Sequence, residues 1–244
     1  MKRGARAAAR SATHEEAKPV ETSRRDFLQR AAAAAGATIL MPAVSSCGGR
    51  QGRSDDGALP PEARVPTQLS PNWDPIAFNR TRGNAGFIPP GYLPEVNGPS
   101  GPKAHLGKHL PYVVALDPAA DGATLPDGYV ALMWGDPDKG YTPHPNARRA
   151  RGNGYEGHWY NWIRIRKATD GEAEELQSTY SEWPGISDDD NGAYAVRGGG
   201  AIDADAGVHT IYLAALPSGV QSGDIVRVHA HCLTHGEYVD FVRV

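Results

Sequence analysis

The chain has little with which to cross-link itself: its 244 residues include two cysteines, Cys47 and Cys232. At most one intrachain bridge could form, so a disulfide framework is excluded. Charge of one sign is lacking as well, because the formal net charge is only -3. That removes the electrostatic case for a nucleic-acid partner. Beyond the N-terminal segment no apolar run approaches the ~20 residues that a membrane-spanning helix needs. Long amphipathic helical patterns are also missing, and Glu172–Leu176 is the only helix-like fragment. Glycine and proline, by contrast, are plentiful at 29 and 20 residues, which favours a turn-rich β fold over a helical one.

Residues 1–47 read as a targeting segment and are set aside from fold reasoning. Ser23-Arg24-Arg25-Asp26-Phe27-Leu28 resembles a twin-arginine export signature, and an Ala-rich apolar stretch from Ala31 to Val44 follows it. Val44-Ser45-Ser46-Cys47 resembles a bacterial lipoprotein box, which implies lipidation at Cys47, a membrane tether and a periplasmic or other extracytoplasmic location. Cleavage nearby by an ordinary signal peptidase is the alternative. If Cys47 is lipidated or removed, Cys232 is a lone thiol in an oxidising compartment, a liability unless a metal holds it. A Cys47–Cys232 disulfide is the other arrangement.

Residues 48–102 divide into a Gly- and charge-rich tether and a Pro/Gly-rich arm carrying Trp73, Ile76, Phe78, Phe87, Ile88, Tyr92 and Leu93. Prolines recur every few residues, which predicts an irregular, extended arm packed over the domain by its aromatics. From residue 103 to 244 the pattern turns to strands, expected over Leu110–Leu116, Gly128–Trp134, His158–Arg166, His209–Leu216, Asp224–Cys232 and Tyr238–Val244. Trp162-Ile163-Arg164-Ile165-Arg166 and Asp224-Ile225-Val226-Arg227-Val228 alternate as half-buried strands do. An all-β, immunoglobulin-like antiparallel β-sandwich is the fold this predicts. Asp188-Asp189-Asp190-Asn191-Gly192 lacks the spaced ligands of a calcium loop and reads as a solvated turn. Gly198–Gly200 reads as a flexible hairpin tip.

The chemistry-bearing residues fall in four settings: Lys108-His109-Leu110-Pro111, His144-Pro145, His158-Trp159 with Trp162-Ile163 following, and Cys232-Leu233-Thr234-His235-Gly236. Each alone is unspecific. Together they offer four imidazoles and one thiolate, a set suited to iron, copper or zinc. On strand alternation His229 and His231 point away from the face that Val228 and Ala230 share with Cys232. They default to structure, as do His105 and His209.

In this order, the four segments resemble the iron centre of superoxide reductases, the neelaredoxin and desulfoferrodoxin family. The resemblance covers roughly residues 103–244. It implies a mononuclear iron site with His109, His144, His158 and His235 as equatorial nitrogens and Cys232 as axial sulfur. It further implies superoxide as substrate and an external electron donor. Lys108 would attract superoxide and support protonation of the product. Many family members carry a glutamate before that lysine, able to close the sixth position; here the residue is Gly107, so that cap is missing or comes from elsewhere, with Glu95 on the arm a candidate. The gap between His144 and His158 is longer than in familiar members and carries Arg148, Arg149 and Arg151. Two other readings compete. A cupredoxin-like electron carrier would need a weak axial methionine, but Met1, Met41 and Met133 all lie upstream of His235. A non-catalytic metal-binding β-sandwich is the third.

Overall fold

The structure, a computed structural model, describes residues 59–94, 103–148 and 157–244. The segment read as an export signal, with Arg24, Arg25 and Cys47, the candidate cap Glu95, and Arg149 and Arg151 lie outside these residues. Among the described residues, eight strands form two four-stranded antiparallel sheets. One contains β1 (Pro111–Val113), β2 (Tyr129–Trp134), β6 (Thr210–Ala215) and β5 (Ala193–Val196), in that spatial order. The other contains β4 (Glu175–Thr179), β3 (Tyr160–Lys167), β7 (Ile225–Cys232) and β8 (Gly236–Arg243).

The two sheets bury a common core. Val130, Leu132 and Trp134 from β2 and Tyr212 and Ala214 from β6 meet Tyr160, Ile163 and Ile165 from β3 and Val226, Val228, Ala230 and Cys232 from β7. The period-2 alternation of β3 and β7 dictates this arrangement, since every second side chain faces the opposing sheet. A register shift between Tyr160 and Trp162 lets both Tyr160 and Ile163 face inward. On the other face of β7, His229 bonds Glu237 and His231 bonds Asn161, at 2.8 and 2.6 Å. Strand alternation had separated those two histidines from Cys232, and so does the fold.

The six expected strands are present with no end shifted by more than three residues, and the two-sheet antiparallel architecture is as expected. Three other readings need correction. Glu175–Thr179 is strand β4, paired along its length with Trp162–Arg166, and its first two residues were expected to end the helix-like fragment Glu172–Leu176. Strand β5 was not anticipated at all. The arm is not irregular: Pro75–Arg82 is an α-helix, here α1. Pro75 was read as a breaker, yet it stands in the first helical turn, where its missing N–H costs nothing. Asp74 caps the helix, accepting from the N–H groups of Ile76 and Ala77 at 2.9 and 3.1 Å. Two shorter helices, α2 (Lys103–Gly107) and α3 (Pro118–Asp121), were also missed. The Asp188–Asp190 turn is held from within: the Asp190 carboxylate accepts from the Ser181 and Ser187 N–H groups. The glycine tip is likewise anchored, because Gly198 N–H donates to Asp121 at 2.9 Å.

The arm packs as its aromatics predicted. Ile76, Ile88, Tyr92 and Leu93 cluster with Leu106, Leu110 and Tyr238. β8 is an edge strand, and Asn79 covers it by bonding both the carbonyl and the N–H of Val239, at 2.8 and 2.9 Å. Unpaired edge groups are thereby satisfied. Arg82 reaches the Glu237 carboxylate, both side chains nearly fully buried at 1 and 4 % exposure. Removing one partner of such a buried pair costs about 3–5 kcal/mol. Burial pushes the Glu237 carboxyl up, but His229 and Arg82 pull it further down. Burial holds His229 at about 4, so it is the neutral imidazole that donates to Glu237 and Arg82 that balances the charge.

Asp240 sits differently. Its Oδ1 accepts from Trp73 Nε1 and from the Phe241 N–H at 2.8 and 2.7 Å, yet burial pushes its carboxyl up to about 6. Between its ordinary value and pH 6 the folded chain holds a proton that the unfolded chain has released. Stability therefore falls as pH rises through that window and stays lower above it. Asn keeps the acceptor oxygen without the charge. Asp240→Asn should stabilise the metal-free chain by about 1–2 kcal/mol at pH 8 and by almost nothing at pH 4. Urea unfolding at the two pH values measures this; an equal effect at both would refute the assignment.

Candidate metal centre

Four chain segments deliver five candidate donors to one end of the sandwich. His109 follows α2 in a turn closed by its own N–H to Leu106 O, 2.9 Å, and by Leu110 N–H to Gly107 O, 3.0 Å. His144 lies in the return after β2, its N–H bonded to Trp134 O at 3.1 Å. That return needs Gly135, with φ 80°, because a Cβ there would fall 2.1 Å from Thr142 O. His158 precedes β3 and is locked by a two-bond bridge to Ala147, at 2.7 and 3.0 Å. The bridge fixes both ends of the long loop that separates it from His144. Cys232 ends β7, and His235 stands in the three-residue turn joining β7 to β8, Cys232 pairing Gly236 across it.

Candidate donor atoms of His109, His144, His158 and Cys232 all lie within 4.8 Å of one another, and all four residues are buried. Ligands on opposite sides of a small divalent ion stand about 4–4.5 Å apart, given metal–nitrogen and metal–sulfur bonds of about 2.0–2.3 Å. His235 does not belong to that mutually close set. Its Nδ1 is nevertheless 3.7 Å from Cys232 Sγ, and its ring centroid lies 4.7 Å from His109 and 4.6 Å from His158. All five predicted donors are therefore brought together.

The polar atoms of this pocket fit a metal. Both ring nitrogens of His109 and Nε2 of His158 are buried without a hydrogen-bond partner. An unsatisfied buried group costs about 1–3 kcal/mol, and a cation would remove that cost for one nitrogen per ring. His144 presents Nε2 to the sulfur at 3.6 Å, while its Nδ1–H donates to Asn146 Oδ1 at 3.1 Å, the outer bond that fixes a ligating tautomer. Asn146 is itself pinned by Tyr212 Oη at 2.6 Å and Gly207 O at 3.0 Å. Its φ of 34° suits an asparagine better than most residues. Tyr238 stacks on His109, centroids 4.4 Å apart at 10°, and its hydroxyl donates to His235 O at 3.1 Å. Asn146 and Tyr238 were not foreseen: the first shares a motif with His144, but its role is legible only in three dimensions.

Burial sets the charge state. It holds His158 at about 3 and His235 at about 2, and it lowers His109 and His144 well below the usual imidazole range. All four rings are neutral at ordinary pH, as ligation requires. Burial pushes the Cys232 thiol up to about 12, although hydrogen bonds from the His235 and Thr234 N–H groups favour the thiolate. A cation would complete what those two N–H groups begin. The Lys108 charge lowers every one of these five groups, so its field reaches the whole site. At Gly107 a Cβ would lie 2.2 Å from the Tyr141 ring. That ring fills the space a side chain at 107 would need.

Comparison with protein-family models, curated proteins and solved structures returned no match. The site is therefore read from its own geometry. Stripped of metal and titrated with Co²⁺, the chain should bind about one ion per molecule with a thiolate-to-metal absorption band. Cys232→Ser should abolish the band. Asn146→Ala, which frees His144 Nδ1, should weaken binding by about 10–100-fold. A band that survives Cys232→Ser would exclude the sulfur as ligand.

Proposed function

We propose that this chain is an exported mononuclear iron protein that reduces superoxide to hydrogen peroxide. It would be a superoxide reductase of the neelaredoxin and desulfoferrodoxin type on an immunoglobulin-like sandwich. The observation that carries the reading is the convergence of His109, His144, His158, Cys232 and His235, from distant segments in the order of the family motifs, beside Lys108. Ferrous iron in this site would supply one electron to superoxide, which takes up two protons and leaves as hydrogen peroxide; an external donor would return the electron.

The chain's own residues define the conditions for that chemistry. Neutral imidazoles leave a dication's charge intact, and the Cys232 thiolate lowers it by one, so a net positive centre remains to attract an anion. Bound to such a cation, the Cys232 thiolate would also donate electron density to it, as a cysteine ligand does at haem iron. Lys108, half-buried next to His109, adds a point charge on a flexible stem. Tyr141 over Gly107 rules out a carboxylate cap from that position. Met133, the methionine among the described residues, disfavours the cupredoxin alternative. It lies in a separate apolar cluster with Ala131, Ile211 and Leu213, and its sulfur contacts Tyr112 Oη.

Purified mature protein should carry about one iron per chain and show a thiolate-to-ferric band on oxidation. Zinc alone, with neither iron nor copper taken up on anaerobic reconstitution, would overturn the redox reading. Lys108→Ala should slow the reaction with superoxide about tenfold at low salt and flatten its ionic-strength dependence, with iron content unchanged. Neutralising Arg148, which is exposed, should matter less, because its charge is screened over about 8 Å at physiological salt. Pulse-radiolysis rates across salt concentrations decide; a variant rate equal to wild type at every salt removes Lys108 from the mechanism. Export rests on Arg24-Arg25 and Cys47. Replacing both arginines by lysine should strand the precursor in the cytoplasm, and normal export of that variant would sink the twin-arginine route.

A further inference from the structure

The arm bears on the ligand hairpin at successive points. The Tyr92 ring stands edge-on to the His235 ring, centroids 4.7 Å apart. At Gly236 a Cβ would fall 2.7 Å from the carbonyl oxygens of Gly86 and Phe87 and 2.8 Å from Ile88 N. Reciprocally, a Cβ on Gly86 would fall 2.8 Å from Glu237 O. The two backbones thus pass at a separation that only paired glycines allow. One residue on, Arg82 Nη1 and Nη2 meet Glu237 Oε2 at 3.3 and 3.2 Å. Beyond that, Asn79 closes both bonds on the Val239 backbone.

The other half of the hairpin is gripped from the β3 side. Leu233 N–H donates to Trp159 O at 3.0 Å and Thr234 Oγ1 to Gly157 O at 2.5 Å. Donors sit on both halves, Cys232 where β7 ends and His235 where the chain turns toward β8. Their separation therefore depends on both grips at once.

We propose that residues 73–93 are part of the metal centre's support, with Arg82, Gly86 and Tyr92 as positioning residues that hold His235 at its distance from Cys232. This rests on the metal reading above. It makes an element that lies wholly outside the 103–244 family resemblance a determinant of metal retention, acting on the ligand hairpin through Arg82 and Gly86 and on His235 itself through the Tyr92 ring.

The test uses the full mature chain with Co²⁺ as probe. Gly86→Ala drives a methyl group against Glu237 O, and the double variant Arg82→Met with Glu237→Gln removes the ion pair without stranding a charge. Arg197→Ala, which breaks the 2.8 Å pair with Asp121 on the other sheet, supplies a control that destabilises away from the site. Both arm variants should release Co²⁺ to excess chelator about tenfold faster than wild type, with a shifted thiolate-to-cobalt band. The control should lose Tm while keeping the wild-type release rate and spectrum. Tyr92→Leu, which keeps the apolar packing, serves as the mildest arm variant if another fails to fold, and should speed release in the same direction. Arm variants that lose Tm but match the control in release and spectrum would overturn the proposal. A wild-type chain that binds no Co²⁺ would instead overturn the metal reading on which it stands.

Discussion

Everything at the site turns on how β7 passes into β8. The turn holds three residues, and Gly236 closes it with φ 87°, a conformation that other residues adopt at a cost. Because the turn is short, Cys232 and His235 cannot separate far, and both remain at the end of the sandwich where the loops carrying His109, His144 and His158 arrive. Because Gly236 has no side chain, the arm's backbone can lie against the turn. A longer or differently closed turn would lose the Cys–His pairing and the seat of the arm together. The Cys-x-x-His-Gly spacing is thus a geometric device as much as a pair of ligands.

The two faces of β7 solve opposite electrostatic problems. Inward, Val228, Ala230 and Cys232 stand in an apolar core that disfavours charge, so the imidazoles stay neutral and the thiol keeps its proton until a cation arrives. Outward, a charge is buried with its counter-charge: Glu237 is balanced by Arg82 and hydrogen-bonded by His229. The inward face therefore has an unmet demand for positive charge, and the outward face has none. Strand alternation alone keeps the two sets apart. A histidine at 229 or 231 is close to Cys232 in sequence but serves the wrong face.

Legibility followed the same logic. Strands β3 and β7 announced themselves because each is buried on one face and polar on the other. β4 reads Glu-Leu-Gln-Ser-Thr, composition with no strand signature, and becomes a strand only because β3 offers an edge to pair with. α1 was hidden by Pro75, whose meaning reverses once Asp74 is seen as its cap. The donors were legible because each stands in a short distinctive motif, such as Lys108-His109-Leu110-Pro111 or Cys232-Leu233-Thr234-His235-Gly236. Their supports were not. Asn146, Tyr238 and Arg82 are ordinary residues whose partners lie tens of residues away: Tyr212 for Asn146, His109 for Tyr238, Glu237 for Arg82.

Gly107 shows how such a support changes what a motif means. In sequence it is an omission, the glutamate of the family pattern replaced by nothing. In the fold the space is occupied, since the Tyr141 ring lies where the side chain would begin. Tyr141 also packs with the apolar cluster that joins the arm to Leu106, Leu110 and Tyr238. The aromatic side chain therefore serves packing between α2 and the arm, and a carboxylate at 107 would have to displace it. The bare position at 107 and the seat of the arm are then two consequences of one packing arrangement. An apolar wall therefore stands where residue 107 would project, and Lys108 is the charge whose field reaches the candidate donors.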